Sequence, residues 1–527
     1  SIEELQYVME VGEASIFIAE NQEYVDKILH VSHRLPRLSK IIVVDTRTMF
    51  MYNDSRIMSF DEVQALGRVR KAKYPHELSQ RISKIKPSNP ATIIFTSGTS
   101  GPPKPALLSH QNTLAGNSRA LSEVMPELWD SENRSLCHLS LAHLLERGAS
   151  IYTPLQLPII PHIGESLQYM QETLYEVQPT FFYAVPRIYE KIAAQAIVGI
   201  ESSSRIKRWS YRLAMSWGRA YAEIKWSGRQ IHLMARLLRW LAVQISFRHI
   251  LHQLGFKKVK HAFVTGAPVP PATQMLWQIW GVDVINLYGS TEGSFICAQR
   301  PGFPKPGNVG KPTSINKVVL AEDGEVTVSG PGVFLGYLKN EEATRETIKE
   351  GWLHTGDIGE WTEDGNLRII DRKKDIMITA GGKNITPSQI EGVLKASPYI
   401  IEAVLIAEGR KFPSALIEID FQTVSEWARR NKIDYMSFAS LITHPGIIEM
   451  IGGEVKKANE SLARVEQVKK FRILPKELDP EEGDTTATRK IKRKTMYRLF
   501  NDLIEDMYRT TETESLELQV GDKKERS

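Results

Sequence analysis

Cysteine is nearly absent: Cys137 and Cys297 are the only two in 527 residues. They stand far apart and outside any metal-ligand spacing, which leaves neither a disulfide framework nor a zinc site to build on, and both read as inert core residues of a reducing compartment. No apolar run approaches the roughly 18 to 20 residues that a spanning helix needs. The start Ser1-Ile2-Glu3-Glu4 also lacks the basic-then-apolar pattern of a secretion signal. A cytoplasmic protein is therefore expected. Strong net charge is missing too, since +5 tolerates anionic partners such as nucleotides or lipid head groups but offers no nucleic-acid platform. Internal repeats and low-complexity blocks are lacking as well.

What the chain does have is length and 42% hydrophobic residues, enough to bury several cores and to expect two or more domains. Short apolar runs at Ile41 to Val44, Thr92 to Phe95, Phe181 to Val185, His261 to Val264 and Val282 to Leu287 alternate with helix-length segments, which is α/β patterning. From Lys317 to Gly330 the pattern changes to short strands around an Asp-Gly turn, a small β subdomain. Asp371 to Asp375 is a charged break. Beyond it, a helix at Ser388 to Ala396, strands at Ala403 to Ile406 and Ser414 to Ile419, and a basic stretch at Arg489 to Lys494 read as a small α+β domain.

The densest chemical signal is Thr96-Ser97-Gly98-Thr99-Ser100-Gly101-Pro102-Pro103-Lys104, directly after the apolar run Ala91 to Phe95. Glycines let main-chain N–H groups converge on an anion, hydroxyls add donors and Lys104 adds charge, so the loop reads as a phosphate cradle. No Gly-Lys-Ser/Thr ends it, so it is not the common nucleotide loop. Downstream follow Gly266-Ala267-Pro268, Tyr288-Gly289-Ser290-Thr291-Glu292, Trp352-Leu353-His354-Thr355-Gly356-Asp357, Asp371-Arg372-Lys373-Lys374-Asp375, Ala380-Gly381-Gly382-Lys383-Asn384 and Lys490-Ile491-Lys492-Arg493-Lys494.

In this order the motifs resemble the adenylate-forming (AMP-binding) enzyme superfamily, from about residue 1 to Tyr508. The long-chain fatty acid–CoA ligase branch is indicated by Leu141-Ala142-His143-Leu144-Leu145-Glu146-Arg147, by Val185-Pro186-Arg187-Ile188-Tyr189-Glu190-Lys191, and by the long insert between them and Gly266. The resemblance implies an α/β fold: a large multi-subdomain N-terminal domain with mixed sheets, 1–371, and a small mobile α+β C-terminal domain, 372–510. Residues 511–527 are polar and expected to be a disordered tail. The family's first strand-and-helix portion normally precedes a start like this one, so the chain is expected to lack that segment.

The implied activity is conversion of a medium- to long-chain fatty acid to acyl-AMP with ATP and Mg²⁺, and then to acyl-CoA with coenzyme A. A carboxylate resists thiols because hydroxide leaves poorly, whereas AMP leaves easily. By resemblance, Thr96, Ser97, Gly98, Thr99, Ser100, Gly101 and Lys104 grip the β- and γ-phosphates, and Gly266, Ala267, Pro268 and Gly289 also border the nucleotide. Tyr288 is expected to stack on adenine, Thr291 to bond the α-phosphate, and Glu292 to help hold Mg²⁺. Asp357, an acceptor, suits a ribose diol to which Arg372 can donate. Lys490 matches the catalytic lysine that offsets charge at the carboxylate and α-phosphate, while Lys492, Arg493 and Lys494 read as a solvated face. Lys374 takes the hinge position about which the small domain swings, bringing Gly381 and Gly382 to the pantetheine passage. His143 and Glu146 fit an active-site lining or helix packing equally.

Three departures stand out. Pro105 replaces a usual Gly and removes an N–H, Ala487 replaces a usual Pro, and Arg489 stands where an apolar residue is common. Pro105, Ala487 and the expected lack of the first segment keep open a low-activity nucleotide- or lipid-binding relative, while Ala487 and Arg489 bear on the register of Lys490. An acyl-AMP ligase serving a carrier protein is the enzymatic rival, against which Gly381, Gly382 and the insert argue. That insert, 203–249, interleaves Arg and Lys with Trp209, Trp217, Trp226 and Trp240. This spacing suits amphipathic helices in peripheral contact with the inner face of a membrane, and it equally suits helices packed on the domain with a solvated basic face.

Overall fold

The computed structural model describes residues 2–96, 102–166, 169–478 and 491–509. Its contacts divide the chain into two compact units, one of residues 1–113 with 334–349, the other of 114–333 with 350–527. The expected tail, Ser97 to Gly101, Ala487, Arg489 and Lys490 lie outside the described residues.

In the first unit, strands Ile16–Ala19, Lys40–Val43 and Ile57–Ser59 form a parallel sheet. Helix Gln22–Val31 begins at the Asn21 cap and buries Val25, Ile28 and Val31, at the three-residue spacing of one helix face, in a core with Ile41 and Val43. A second sheet pairs Pro90–Thr96 with Lys104–Ser109, so that Phe95 faces Pro105 and Thr96 faces Lys104. Pro105 is buried inside this strand, and its carbonyl accepts the Leu338 N–H at 2.9 Å.

The second unit is built on three parallel strands, β1 (Phe181–Ala184), β2 (His261–Val264) and β3 (Val284–Ser290), followed by antiparallel β4 (Ser294–Ala298). All four β1 residues are buried, as expected of a strand covered on both faces. Phe182 packs into a core with Tyr189, Phe256, Trp277 and Trp280, whereas Phe181 and Tyr183 point into a second core with Leu145 and Phe263. Helices α1 (Pro186–Glu201), α2 (Arg205–Trp226) and α3 (Leu233–Ala242) follow β1. Among the described residues, no helix is long and apolar enough to cross a membrane.

Strands Lys317–Leu320 and Glu325–Ser329 pair through the Asp323-Gly324 turn, and Glu325–Ser329 pairs with β5 (Trp352–Trp361), which in turn pairs with β6 (Leu367–Arg372). After β6, helix α4 (Pro387–Leu394) packs against strands Ile400–Ile406 and Ser414–Ile419, with Ile390, Leu394, Leu405 and Ile417 fully buried. The opposite faces of these strands, through Val404, Ile406 and Leu416, bury Met496 of helix Arg493–Leu499, Ile504 of helix Asn501–Arg509 and Phe500 between them.

The basic stretch is not uniformly solvated. Arg493 Nη1 lies 2.7 Å from Glu391 Oε1 and Nη2 donates to Oε2 at 2.8 Å, while Glu391 Oε1 also accepts the Leu405 N–H at 2.7 Å. Burial weighs against the Arg493 charge, yet the Glu391 carboxylate holds its pKa above the ordinary value. Removing one partner of a buried pair of this kind costs about 3–5 kcal/mol, against roughly 0–1 for an exposed pair. Arg493 therefore ties the segment after residue 490 to α4. Its sequence neighbours hid this, because a basic run says nothing about which member meets a buried carboxylate.

Candidate active site

The parallel strands of the second unit end together: Ala184 of β1 is level with Val264 of β2, and Val264 with Asn286 of β3. The loops leaving the carboxyl ends of β1 and β2 carry Val185 and Gly266-Ala267-Pro268, and the end of β3 itself carries Tyr288. This is where open α/β sheets place ligands. Gly266 has φ +88°, a backbone that favours glycine.

At Gly289 the glycine has a packing reason. The β3–β4 ladder shifts register between Tyr288 and Gly289, and a Cβ at Gly289 would lie 2.1 Å from the Ser294 carbonyl oxygen. Beside the bulge Tyr288 stays paired with Cys297 of β4, and its hydroxyl donates to Asp357 Oδ2 at 2.6 Å. Burial, reinforced by the Asp357 charge, pushes the Tyr288 pKa well above its ordinary value, so the phenol remains a donor. Thr291 and Glu292 follow in the turn to β4.

Asp357 and Arg372 meet because of a second bulge. Asp357 of β5 stands opposite Arg372 of β6, and the register shifts between Ile358 and Gly359. Carried back without the shift, the outer register (Gly359 opposite Ile369) would set Asp357 against Asp371, two carboxylates face to face. With it, Arg372 Nε lies 3.3 Å from Asp357 Oδ1. Asp357 is only 8% exposed, and a carboxylate so enclosed requires such partners. For Arg372, burial opposes the charge, but Asp357, Glu292 and Asp375 together hold its pKa above the ordinary value. Glu292 thus contributes to the same electrostatic cluster.

Around this cluster the structure adds Asp323, Glu325 and Ser388, which lie outside the motifs, as partners of residues within them. Glu325 Oε1 accepts the Gly356 N–H at 2.9 Å, fixing the turn at Gly356, whose φ is +73°. His354 Nδ1 lies 3.3 Å from Glu325 Oε2, and the Lys373 ammonium pairs with Asp323. Asp371 Oδ2 accepts the Ser388 N–H at 3.0 Å, tying β6 to α4. The Asp-Gly turn was legible in the sequence, but the charges flanking it carry no motif.

Lys104 begins its strand in the first unit with Nζ 5.1 Å from the Tyr337 ring centroid. Lys374 is exposed just past β6. Gly381 and Gly382 turn between the short strands Met377–Ile378 and Asn384–Ile385. A Cβ on Gly381 would find nothing nearer than Thr379 Oγ1 at 4.0 Å, and one on Gly382 nothing within 4 Å. Packing does not demand either glycine, although φ +72° does favour one at Gly382.

Glu146 takes the packing role. It is 0% exposed and accepts from the Tyr183 hydroxyl at 2.6 Å, the Ser150 hydroxyl and the Leu139 N–H at 2.8 Å. His143 caps helix Leu144–Arg147, with Nδ1 accepting the Leu145 N–H at 3.1 Å. Cys297 is buried and Cys137 half-buried; burial, with the Glu146 carboxylate nearby, pushes the Cys137 thiol up to about 11, so it is inert near neutral pH.

A sequence profile of the AMP-binding enzyme family matches residues 1–338, and one of the AMP-binding enzyme C-terminal domain matches 374–512. The long-chain-fatty-acid–CoA ligase FadD15 of Mycobacterium tuberculosis is 31% identical over 516 residues, covering 96% of this chain and 82% of the relative. Human long-chain-fatty-acid–CoA ligase 1 is 30% identical over 538 residues, covering 96% and 73%. Among solved structures, the A domain of a carboxylic acid reductase from Segniliparus rugosus, in complex with AMP and a co-purified carboxylic acid, has the same fold, with TM-score 0.64, 18% identity, and coverage of 96% of this chain and 77% of that one. The motif order, the sheet edge that gathers Gly266 and Tyr288, and these matches agree: the chain belongs to the AMP-binding enzyme family, whose members activate a carboxylate as its acyl-adenylate.

Proposed function

We propose that this protein is an ATP-dependent acyl–CoA ligase for medium- to long-chain fatty acids, forming acyl-AMP and then the coenzyme A thioester. The observation that carries the reading is the seat of Asp357, an enclosed carboxylate oriented by Tyr288 and Arg372 at the residues the family uses for nucleotide. Relatives at 30–31% identity that are long-chain-fatty-acid–CoA ligases support the substrate class. Asp357 and Arg372 would hold the ribose, Tyr288 the adenine and Thr291 the α-phosphate, while the Thr96–Lys104 loop would hold the outer phosphates. Mg²⁺ is commonly held by one or two carboxylates plus substrate phosphates, a need that Glu292 fits. When bound, the ion neutralises phosphate charge. Among the described residues no group of three or more His, Cys, Asp and Glu could hold a metal.

The test is a fatty-acid panel. Pyrophosphate release that depends on fatty acid, followed by AMP release that depends on coenzyme A, is expected. Pyrophosphate release without a response to coenzyme A would instead place the protein with acyl-AMP ligases that serve carriers, and no fatty-acid-dependent pyrophosphate at all would leave a binding relative.

The thiol passage is tested best at Gly381, because Gly382→Leu would strain a left-handed residue as well as fill space. Gly381→Leu is expected to keep acyl-adenylate formation while losing roughly 100-fold in thioester formation, the scale of a blocked or misplaced reactant. Equal losses in both half-reactions would show that the turn serves folding.

Lys490 would supply the cation as negative charge builds at the α-phosphorus. Lys490→Ala is expected to lose roughly 100-fold in adenylation yet still convert supplied acyl-adenylate and coenzyme A to the thioester. Lys492, which immediately precedes helix Arg493–Leu499, is the comparison. Loss in Lys492→Ala but not in Lys490→Ala would move the role by two positions, and two active variants would remove it.

A further inference from the structure

Helix α3 faces solvent with one polar side chain, Arg236, and otherwise with apolar ones. Inward, it buries Ala235 and Ala242, and Arg239 turns the same way: its guanidinium donates to the Ile279 and Gln278 carbonyls and lies over the Tyr221 and Phe247 rings. Outward, Leu233 is 82% exposed and Trp240 56%, with Met234 and Leu237 at least half exposed between them. Leu233, Leu237 and Trp240 follow the i, i+4, i+7 spacing of a single face. Ile245 continues the exposed apolar surface just past the helix, and the first turns of the paired helix α2 add exposed Ile206 and Trp209. An exposed apolar face of this extent is ordinarily covered.

The surrounding charge identifies the cover. Between Ser203 and His249 ten Lys and Arg accompany one acid, Glu223, a local net charge of +9 in a chain whose total is +5. Arg205, Lys207, Arg212, Arg219, Arg236 and Arg248 are exposed. A second copy of such a surface would be repelled. An anionic bilayer supplies both complements: acyl chains and interface for the Leu and Trp side chains, and phosphates for cations whose stems reach past them.

We propose that the outer face of α3, flanked by the cations of α2, docks on a bilayer containing anionic phospholipid. The surface adds a lipid partner to the ligase reading and depends on that reading only for its purpose, since the acyl substrate partitions into membranes.

The experiment is co-sedimentation of the full chain with vesicles of phosphatidylcholine alone or mixed with phosphatidylglycerol, without ATP or fatty acid, so that failure of docking and failure of catalysis are read separately. Binding is expected to the mixed vesicles and to weaken as salt rises. The double variant Leu237→Glu/Trp240→Glu is expected to lose about tenfold or more in affinity at any salt, and Arg212→Glu/Arg219→Glu a similar factor chiefly at low salt. Exposed positions tolerate such changes, so both variants should keep the wild-type unfolding temperature and activity toward a soluble short-chain acid. Absence of vesicle binding, or binding unchanged in both variants, would overturn the proposal. So would a wild-type oligomer that Leu237→Glu/Trp240→Glu converts to monomer without any vesicle binding, which would assign the face to a second copy.

Discussion

Asp357 is an anion in a place where water scarcely reaches, and its orientation depends on two donors from different strands. Tyr288 arrives from β3 and Arg372 from β6, each at a bulge. Beside the first bulge, Tyr288 stays paired with Cys297 of β4. Without the second, a like charge would face Asp357. The second irregularity, together with the Tyr288 hydroxyl, thus gives a carboxylate whose oxygens point in fixed directions, which is what recognition of a diol requires. Glu325 extends the support by holding the Gly356 N–H, and Asp371 links β6 to the following domain through Ser388.

The second domain is anchored in a comparable way. Arg493 and Glu391 form a two-pronged pair against α4, and hydrophobic side chains on both faces of the Ile400–Ile406 and Ser414–Ile419 strands enclose it.

Much of this was legible in the sequence. The runs at Phe181 and His261 became strands within a residue of where the apolar pattern put them, because strands covered on both faces are continuous apolar stretches. Tyr288, Asp357 and Arg372 were named from motifs. Their mutual geometry was not legible, since a one-residue bulge leaves no mark beyond an unremarkable Gly289 or Gly359. Arg493 looked like its neighbours in a basic stretch; only the buried Glu391, about a hundred positions earlier, distinguishes it. Glu146 read equally as lining or packing until Tyr183 and Ser150 were seen to surround it. In the insert, spacing revealed amphipathic helices but not which face would remain uncovered, because that depends on Arg239 turning inward.

The central claim is that Asp357 is the nucleotide's ribose seat rather than a structural acid. Calorimetric titration of ATP into the wild type and Asp357→Asn tests it most directly, with unfolding temperature measured in parallel. Asparagine keeps the shape and can still accept the Tyr288 hydroxyl, but it forfeits the charge that orients Arg372 and strengthens acceptance from a diol. A hydrogen bond to a charged group contributes about 1.5–3 kcal/mol, so affinity should fall roughly 10- to 100-fold while the protein stays folded. Unchanged ATP affinity in a folded Asp357→Asn protein would contradict the account.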